Sequence, residues 1–291
     1  MRSLRPVTAI LVALLLFVAG CSGSGEPGSD GKPVKIGVTD ASEPYWNVYK
    51  TKAKAAGISV ELVNFTDYNQ PNQALTQKQL DLNEFQHLQY LANYNVKAHG
   101  DLTPIGATAV YPLPLYSTKH DSLEAIPAGG KVAIPNDPTN QARSLLVLQA
   151  AGLLKLAGGG NSLSTPADVE PGAKVEVVPV EASLTAQNLA SVDAAIVNNN
   201  YSTAAKLTED QIVYADDPNA DEFKPYINAF VARGDDKDNA TYKKLADLYH
   251  DPEVIAAIKK DLGDGGAFKT NDPADLQATL TQIQDEIKKA N

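Results

Sequence analysis

The sequence predicts an α/β protein of two doubly wound lobes with a cleft between them, and three observations carry that prediction. Strand-like and helix-like hydrophobic patterns alternate along the chain from Val34 onward. Two extended apolar segments, Val110–Ser117 and Tyr226–Arg233, break the alternation and suit connections that cross from one lobe to the other. The sequence shows no internal repeat of the kind that marks solenoids or propellers. The division implied is a signal segment at 1–20, a linker at 21–33, a first lobe at 34–112 plus 231–291, and a second lobe at 113–230.

At 291 residues, with 43% hydrophobic and 21% charged residues, the chain can fill two such cores. Its formal net charge of −10 argues against nucleic acid or an anionic membrane surface as the main partner, yet leaves room for a local cationic pocket. Cys21 is the only cysteine, so neither an intrachain disulfide nor a cysteine-based metal site can form. Its position suggests another role. Arg2 and Arg5 precede an apolar run from Val7 to Ala19, too short to span a bilayer comfortably, and Val18-Ala19-Gly20-Cys21 looks like a bacterial lipobox. A lipidated, for example palmitoylated, Cys21 would anchor the chain to the outer face of the cell membrane without a spanning helix. Ser22–Pro33 is then a Gly/Ser-rich tether with a reach of about 20 Å.

Val34–Val38 alternates as a strand, and Ser42 is placed to cap a helix through Trp46 and Tyr49, stopped by Gly57. Ile58–Phe65 reads as a second strand. Asn72 is placed to cap a helix through Leu80, followed by a short strand to Asn83, a turn at Glu84–His87, and a helix with Leu88 and Leu91. Tyr68, Phe85, His87 and Tyr90 fall near strand ends, where open α/β sheets bind ligands; aromatic residues at such spacing also fill ordinary cores.

Val132–Leu148 is the most informative stretch. A short apolar strand gives way to Pro-Asn-Asp-Pro, with Asp137 as N-cap and Pro138 at the first helical position. The free backbone N–H groups of Thr139, Asn140 and Gln141 are expected to attract an anion, and Arg143 one turn on could pair bidentately with a carboxylate. The same residues also describe a surface arginine on a capped helix. Lys174–Val180 and Ser191–Val197 are further strands, the latter ending in Asn198-Asn199-Asn200, amides that suit either a zwitterionic ligand or a turn. Three capped helices close the chain, at Asp238–Tyr249, Asp251–Leu262 and Asp272–Lys289, the last with an apolar stripe of Leu276, Leu280, Ile283 and Ile287.

Taken together, Glu61–Leu75, Leu80–Leu91, Val110–Ser117, Val132–Leu153, Ala194–Tyr201 and the glycine turn Gly263–Phe268 resemble the methionine-binding lipoprotein family, the substrate-binding subunits of bacterial methionine ABC importers. The resemblance implies a type II periplasmic-binding-protein fold, no enzymatic activity, no cofactor and no metal, with methionine and an ABC permease as partners. It implies that Arg143 and Asn140 hold the ligand carboxylate, Asn198 its ammonium, and that Tyr68, Phe85, His87, Tyr90 and Tyr111 line the side-chain pocket. A thioether suits such aromatic walls, at about 0.3–1.5 kcal/mol per contact. Two features depart from the family pattern: a segment beyond Phe268, and Asn199-Asn200 in place of small hydroxyl residues. The second admits another apolar amino acid or a short methionyl peptide as ligand. An extracytoplasmic enzyme is the alternative of another class, weakened by the lack of a nucleophile elbow, a paired-histidine motif or a phosphate loop. The clamp reading expects Arg143→Ala to abolish methionine binding while leaving the melting temperature of the empty protein nearly unchanged.

Overall fold

The computed structural model describes residues 32–219, 221–263 and 265–290. The expected signal segment, Cys21 and most of the linker lie outside them.

The chain opens with β1 (Val34–Val38), α1 (Tyr45–Ala55), β2 (Val60–Asn64), α2 (Pro71–Thr76), β3 (Leu82–His87), α3 (Leu88–Ala98), β4 (Thr103–Ala107) and β5 (Ala109–Val110). A middle portion follows: β6 (Leu115–Tyr116), β7 (Gly130–Pro135), α4 (Pro138–Ala150), β8 (Val175–Val180), α5 (Thr185–Asn188), β9 (Ala194–Ile196), α6 (Asn199–Ala204) and β10 (Ile212–Tyr214). The last elements are β11 (Asn228–Ala232), α7 (Ala240–Leu248), α8 (Pro252–Leu262), β12 (Ala267–Phe268) and α9 (Pro273–Ala290).

These strands form two five-stranded sheets, in the orders β2-β1-β3-β11-β4 and β10-β6-β9-β7-β8, with β5 and β12 as a separate ribbon. In the first sheet β1 runs parallel to β2 and β3, while β11 is antiparallel to both its neighbours. Both faces of each sheet are covered. Along β11, Phe230 and Ala232 enter one apolar cluster with α1, α7 and α8, while Ala229 and Val231 enter another with α3 and α9. The same period of two sorts Val132 and Ile134 from Ala133 in β7, and Ala194 and Ile196 from Ala195 in β9.

Burial on both faces explains one difference from the sequence reading. The apolar run at Tyr226–Arg233 is not itself a crossing, because Asn228–Ala232 is an interior strand of the first sheet and starts before the expected boundary at 231. The chain returns to that sheet through the residues ahead of it. Pro112 and Pro114 lie between β5 of the two-stranded ribbon and β6 of the second sheet.

Local signals were overridden at three places. Ser42 does not cap α1, which starts at Tyr45 with Pro44 in the N-cap position. Asn72 sits inside α2 and is buried, its amide bonded to Gln86 and Asn83 instead of to its own helix start. Glu84–His87 is strand, not turn, because β3 lies between β1 and β11 and its polar residues find partners there; pairing with both neighbours outweighs local propensity. Elsewhere the punctuation held. Asp251 caps α8, Pro252 opens it, and Gly263 at φ +81° ends it, while the stripe on α9 is buried in one cluster.

Candidate functional site

One strand and three helix starts converge between the sheets. Phe85 and His87 lie on the second half of β3, Tyr90 lies in the first turn of α3, Asn140 and Arg143 in the first turns of α4, and Asn198 occupies the N-cap position of α6. With Tyr68 and Tyr111 these residues line one cleft, holding about 740 Å³ of empty space including its mouth. All eight residues singled out from the sequence are therefore brought together.

Hydrogen bonds cross the cleft. His87 accepts the Tyr90 backbone N–H at Nδ1, 3.1 Å, so the neutral ring carries its proton on Nε2, which faces Asn140 Oδ1 at 3.4 Å. Asn198 Nδ2 donates to the same oxygen at 3.1 Å. Burial, then the charge of Arg143, pull the His87 pKa down to about 3, against the small opposing effect of the Asn140 bond. Tyr68 and Asn200 close the rim, Tyr68 Oη donating to Asn200 Oδ1 at 2.5 Å and Asn200 Nδ2 donating to Thr39 Oγ1 at 3.2 Å. The unexpected Asn200 is thus a bridge between the two sheets.

The anion expected at the start of α4 is the protein's own. Asp137 accepts from the Asn140 backbone N–H at 2.9 Å, from Asn140 Nδ2 at both carboxylate oxygens, 3.1 and 3.0 Å, and from Thr139 Oγ1. Gln141 N–H is taken by the Asp137 carbonyl. The helix end is capped rather than open, and Asn140 spends its amide donor on that cap while its oxygen serves His87 and Asn198.

Arg143 is buried, not a surface residue. Its guanidinium lies over the rings of Tyr226 at 4.4 Å and Phe223 at 5.2 Å, donates from Nη2 to the Tyr111 carbonyl at 2.9 Å, and pairs with Asp216. Nη1 makes no hydrogen bond among the described residues. Asn198 Oδ1 is fully enclosed and has no partner there either. Arg143 thus leaves a donor over in the cleft and Asn198 an acceptor, and a zwitterion offers an acceptor and a donor in return.

Tyr68, Phe85 and Tyr90 form a ring cluster with centroids 5.8–6.1 Å apart. Tyr111 packs beside the glycine turn, where a Cβ on Gly266 would sit 2.9 Å from its ring, so this ring position requires glycine. Sequence reasoning missed Asp216, Phe223, Tyr226, Asn228, Asp40, Glu84, Tyr45 and Tyr249. The first three lie on the irregular return segment, which has no period to read. Asp40 lies just past the apolar strand β1, where a polar residue was the available signal, and Glu84 lies inside β3.

A family model described as NlpA lipoprotein matches residues 34–270. The chain belongs to the NlpA lipoprotein family. The D-methionine-binding lipoprotein MetQ of Escherichia coli (strain K12) is 38% identical over 272 residues, covering 90% of this chain and 97% of that protein. Among solved structures, protein PG110 from Staphylococcus aureus superposes with a TM-score of 0.82 at 36% identity, over 86% of this chain and 99% of that one. The substrate binding protein of a methionine transporter from Streptococcus pneumoniae does so with a TM-score of 0.76 at 36% identity, over 81% of this chain and 95% of that one. The family match ends before α9, so this helix is the extension noted in the sequence.

Proposed function

We propose that this member of the NlpA lipoprotein family is an extracytoplasmic binding protein that captures methionine and delivers it to an ABC permease. It is a carrier and not an enzyme, in keeping with relatives named for methionine binding and transport. The observation that carries the reading is the pairing of a buried, ring-stacked guanidinium with an enclosed, unpartnered amide oxygen in a cleft walled by aromatic rings.

In this reading Arg143 meets the ligand carboxylate through Nη1, and Asn198 Oδ1 accepts from the ammonium. Asn140 works from behind, orienting Asn198 and His87. Tyr68, Phe85, His87, Tyr90 and Tyr111 surround the thioether, and the neutral His87 suits an apolar guest. The fold is of the type II periplasmic-binding kind, two lobes joined by two crossings. The first lobe comprises 34–112 and the chain after the return; the boundary moves from 231 to 228, where β11 begins. Lobe closure on the guest is the signal to the permease, and lipidated Cys21 keeps the body at the membrane.

A melting assay with a panel of amino acids tests this. Methionine at 100 times its dissociation constant adds about 2.7 kcal/mol of stability and raises Tm. No shift with any amino acid would point instead to an adhesin or a structural lipoprotein.

A further inference from the structure

The same cleft has an acidic wall that methionine alone does not use. Glu84 and Asp40 both line it, and Arg143 is the only lysine or arginine that does so among the described residues. That one cation is already matched by Asp216. Asp40 has its two oxygens met by neutral donors, Trp46 Nε1 at 2.9 Å and Tyr45 Oη at 2.7 Å. Glu84 is 7% exposed, takes one hydrogen bond at Oε1 from Thr108 Oγ1 at 3.0 Å, and has no partner at Oε2 among the described residues.

A buried carboxylate without a cation is costly, and such groups are met by a partner or give up their charge. Burial, with the neighbouring charge of Asp40, pushes Glu84 up to about 8 in the empty cleft. Among the described residues no lysine or arginine besides Arg143 lines the cleft to relieve this, and Glu84 is itself part of the cleft lining. Glu84 and Arg143 line the same cleft, with Tyr111 also in its wall, bonding Tyr249 through its hydroxyl and Arg143 through its carbonyl.

We infer that Glu84 receives a cationic nitrogen of the guest, so that beside methionine the cleft accepts, and prefers over its neutral counterpart, an amino acid or short peptide carrying a positive charge accessible to that wall. This rests on the binding-protein reading and extends its ligand class. Two sources supply the same chemistry: a side-chain ammonium, or the free amino terminus of a peptide whose last residue lies at Arg143.

Calorimetry on the full chain separates them. Lysine is compared with norleucine, which has the same stem without the ammonium, and alanyl-methionine with its N-acetylated form; methionine is run beside both. The inference expects the charged member of at least one pair to bind tenfold or more tightly, with that ratio falling toward one in Glu84→Gln. The pair that discriminates names the source. Binding of methionine with neither pair discriminated by the natural protein overturns the inference and leaves the methionine reading standing, whether or not the variant folds. Preference that survives intact in a folded Glu84→Gln overturns the role of Glu84. Failure of methionine and every other compound to bind rejects both readings.

Discussion

The Arg143 guanidinium donates through Nε and Nη2 to a single carboxylate oxygen of Asp216, at 3.2 and 2.7 Å, with both side chains less than a tenth exposed. The other oxygen of Asp216 accepts from the Leu113 N–H at 2.6 Å, so one carboxylate ties α4, the segment between β5 and β6 and the segment ahead of β11 together. A guest carboxylate has to share this guanidinium through Nη1 or displace Asp216 from it.

That pair changes what Arg143→Ala does. Removing one partner of a buried ion pair leaves the other charge uncompensated, at a cost of about 3–5 kcal/mol. The variant therefore loses methionine binding and also melts lower when empty, contrary to the expectation from sequence. Urea denaturation should show Arg143→Ala strongly destabilised and Arg143→Met with Asp216→Leu substantially recovered. Equal stability of Arg143→Ala and the natural protein would mean the pair is not held in solution.

Asn198→Ala separates binding from folding. Its Oδ1 has no partner to lose, and only the bond to Asn140 goes, so the fold should weaken by about 1 kcal/mol or less. Methionine affinity should fall by about tenfold or more, as expected for a hydrogen bond to a charged group of about 1.5–3 kcal/mol. Calorimetry and thermal melts on the same preparation check both halves.

Two buried groups set the pH profile of the empty protein in opposite directions. His87, held near 3 when folded, binds a proton only on unfolding between about 3 and its ordinary value of 6.5, so its contribution is present above 6.5 and is lost as pH falls toward 3. Glu84, held near 8 from an ordinary 4.5, keeps its proton when folded, so its contribution is present below 4.5 and is lost as pH rises through 8. The slopes, each up to about 1.4 kcal/mol per pH unit, cancel between the two ordinary values. Burial raises Asp40 and Asp137 as well, which adds to the loss toward alkaline pH; Glu84→Gln should reduce the alkaline loss and His87→Gln the acid one, measured by urea midpoints across pH.

The buried amide triad of Asn72, Asn83 and Gln86 fixes α2 against β3 next to Phe85, with bonds of 2.6–3.0 Å. Asn72→Ala leaves two amides short of partners and should cost about 2–6 kcal/mol, at about 1–3 for each unsatisfied group. A change below 1 kcal/mol in denaturant titration would show the triad to be replaceable.

The cap at Asp137, the arginine one turn later, the aromatic residues of β3 and α3 and the glycine turn were all legible, because each is a local pattern with a local cause. What the sequence hid depends on distant segments meeting. Nothing near Arg143 announces Asp216, Phe223 or Tyr226, which reach it from an aperiodic stretch about 80 residues on. Asp137 was read correctly as a cap, and yet the helix end was still expected to be open to a ligand; the side chain that caps is itself the anion. Glu84–His87 looked like a turn by composition and became an interior strand through pairing with β1 and β11. Asn200 looked like a departure in a turn and proved to bridge the cleft.

A crystal structure of the protein with L-methionine added tests the central claim most directly. The account predicts the guest in this cleft, its carboxylate within hydrogen-bond distance of Arg143 Nη1, its ammonium on Asn198 Oδ1 and its sulfur among Tyr68, Phe85 and Tyr90. Methionine bound elsewhere, or an empty cleft at saturating ligand with Arg143 still engaged only by Asp216 and the Tyr111 carbonyl, would contradict it.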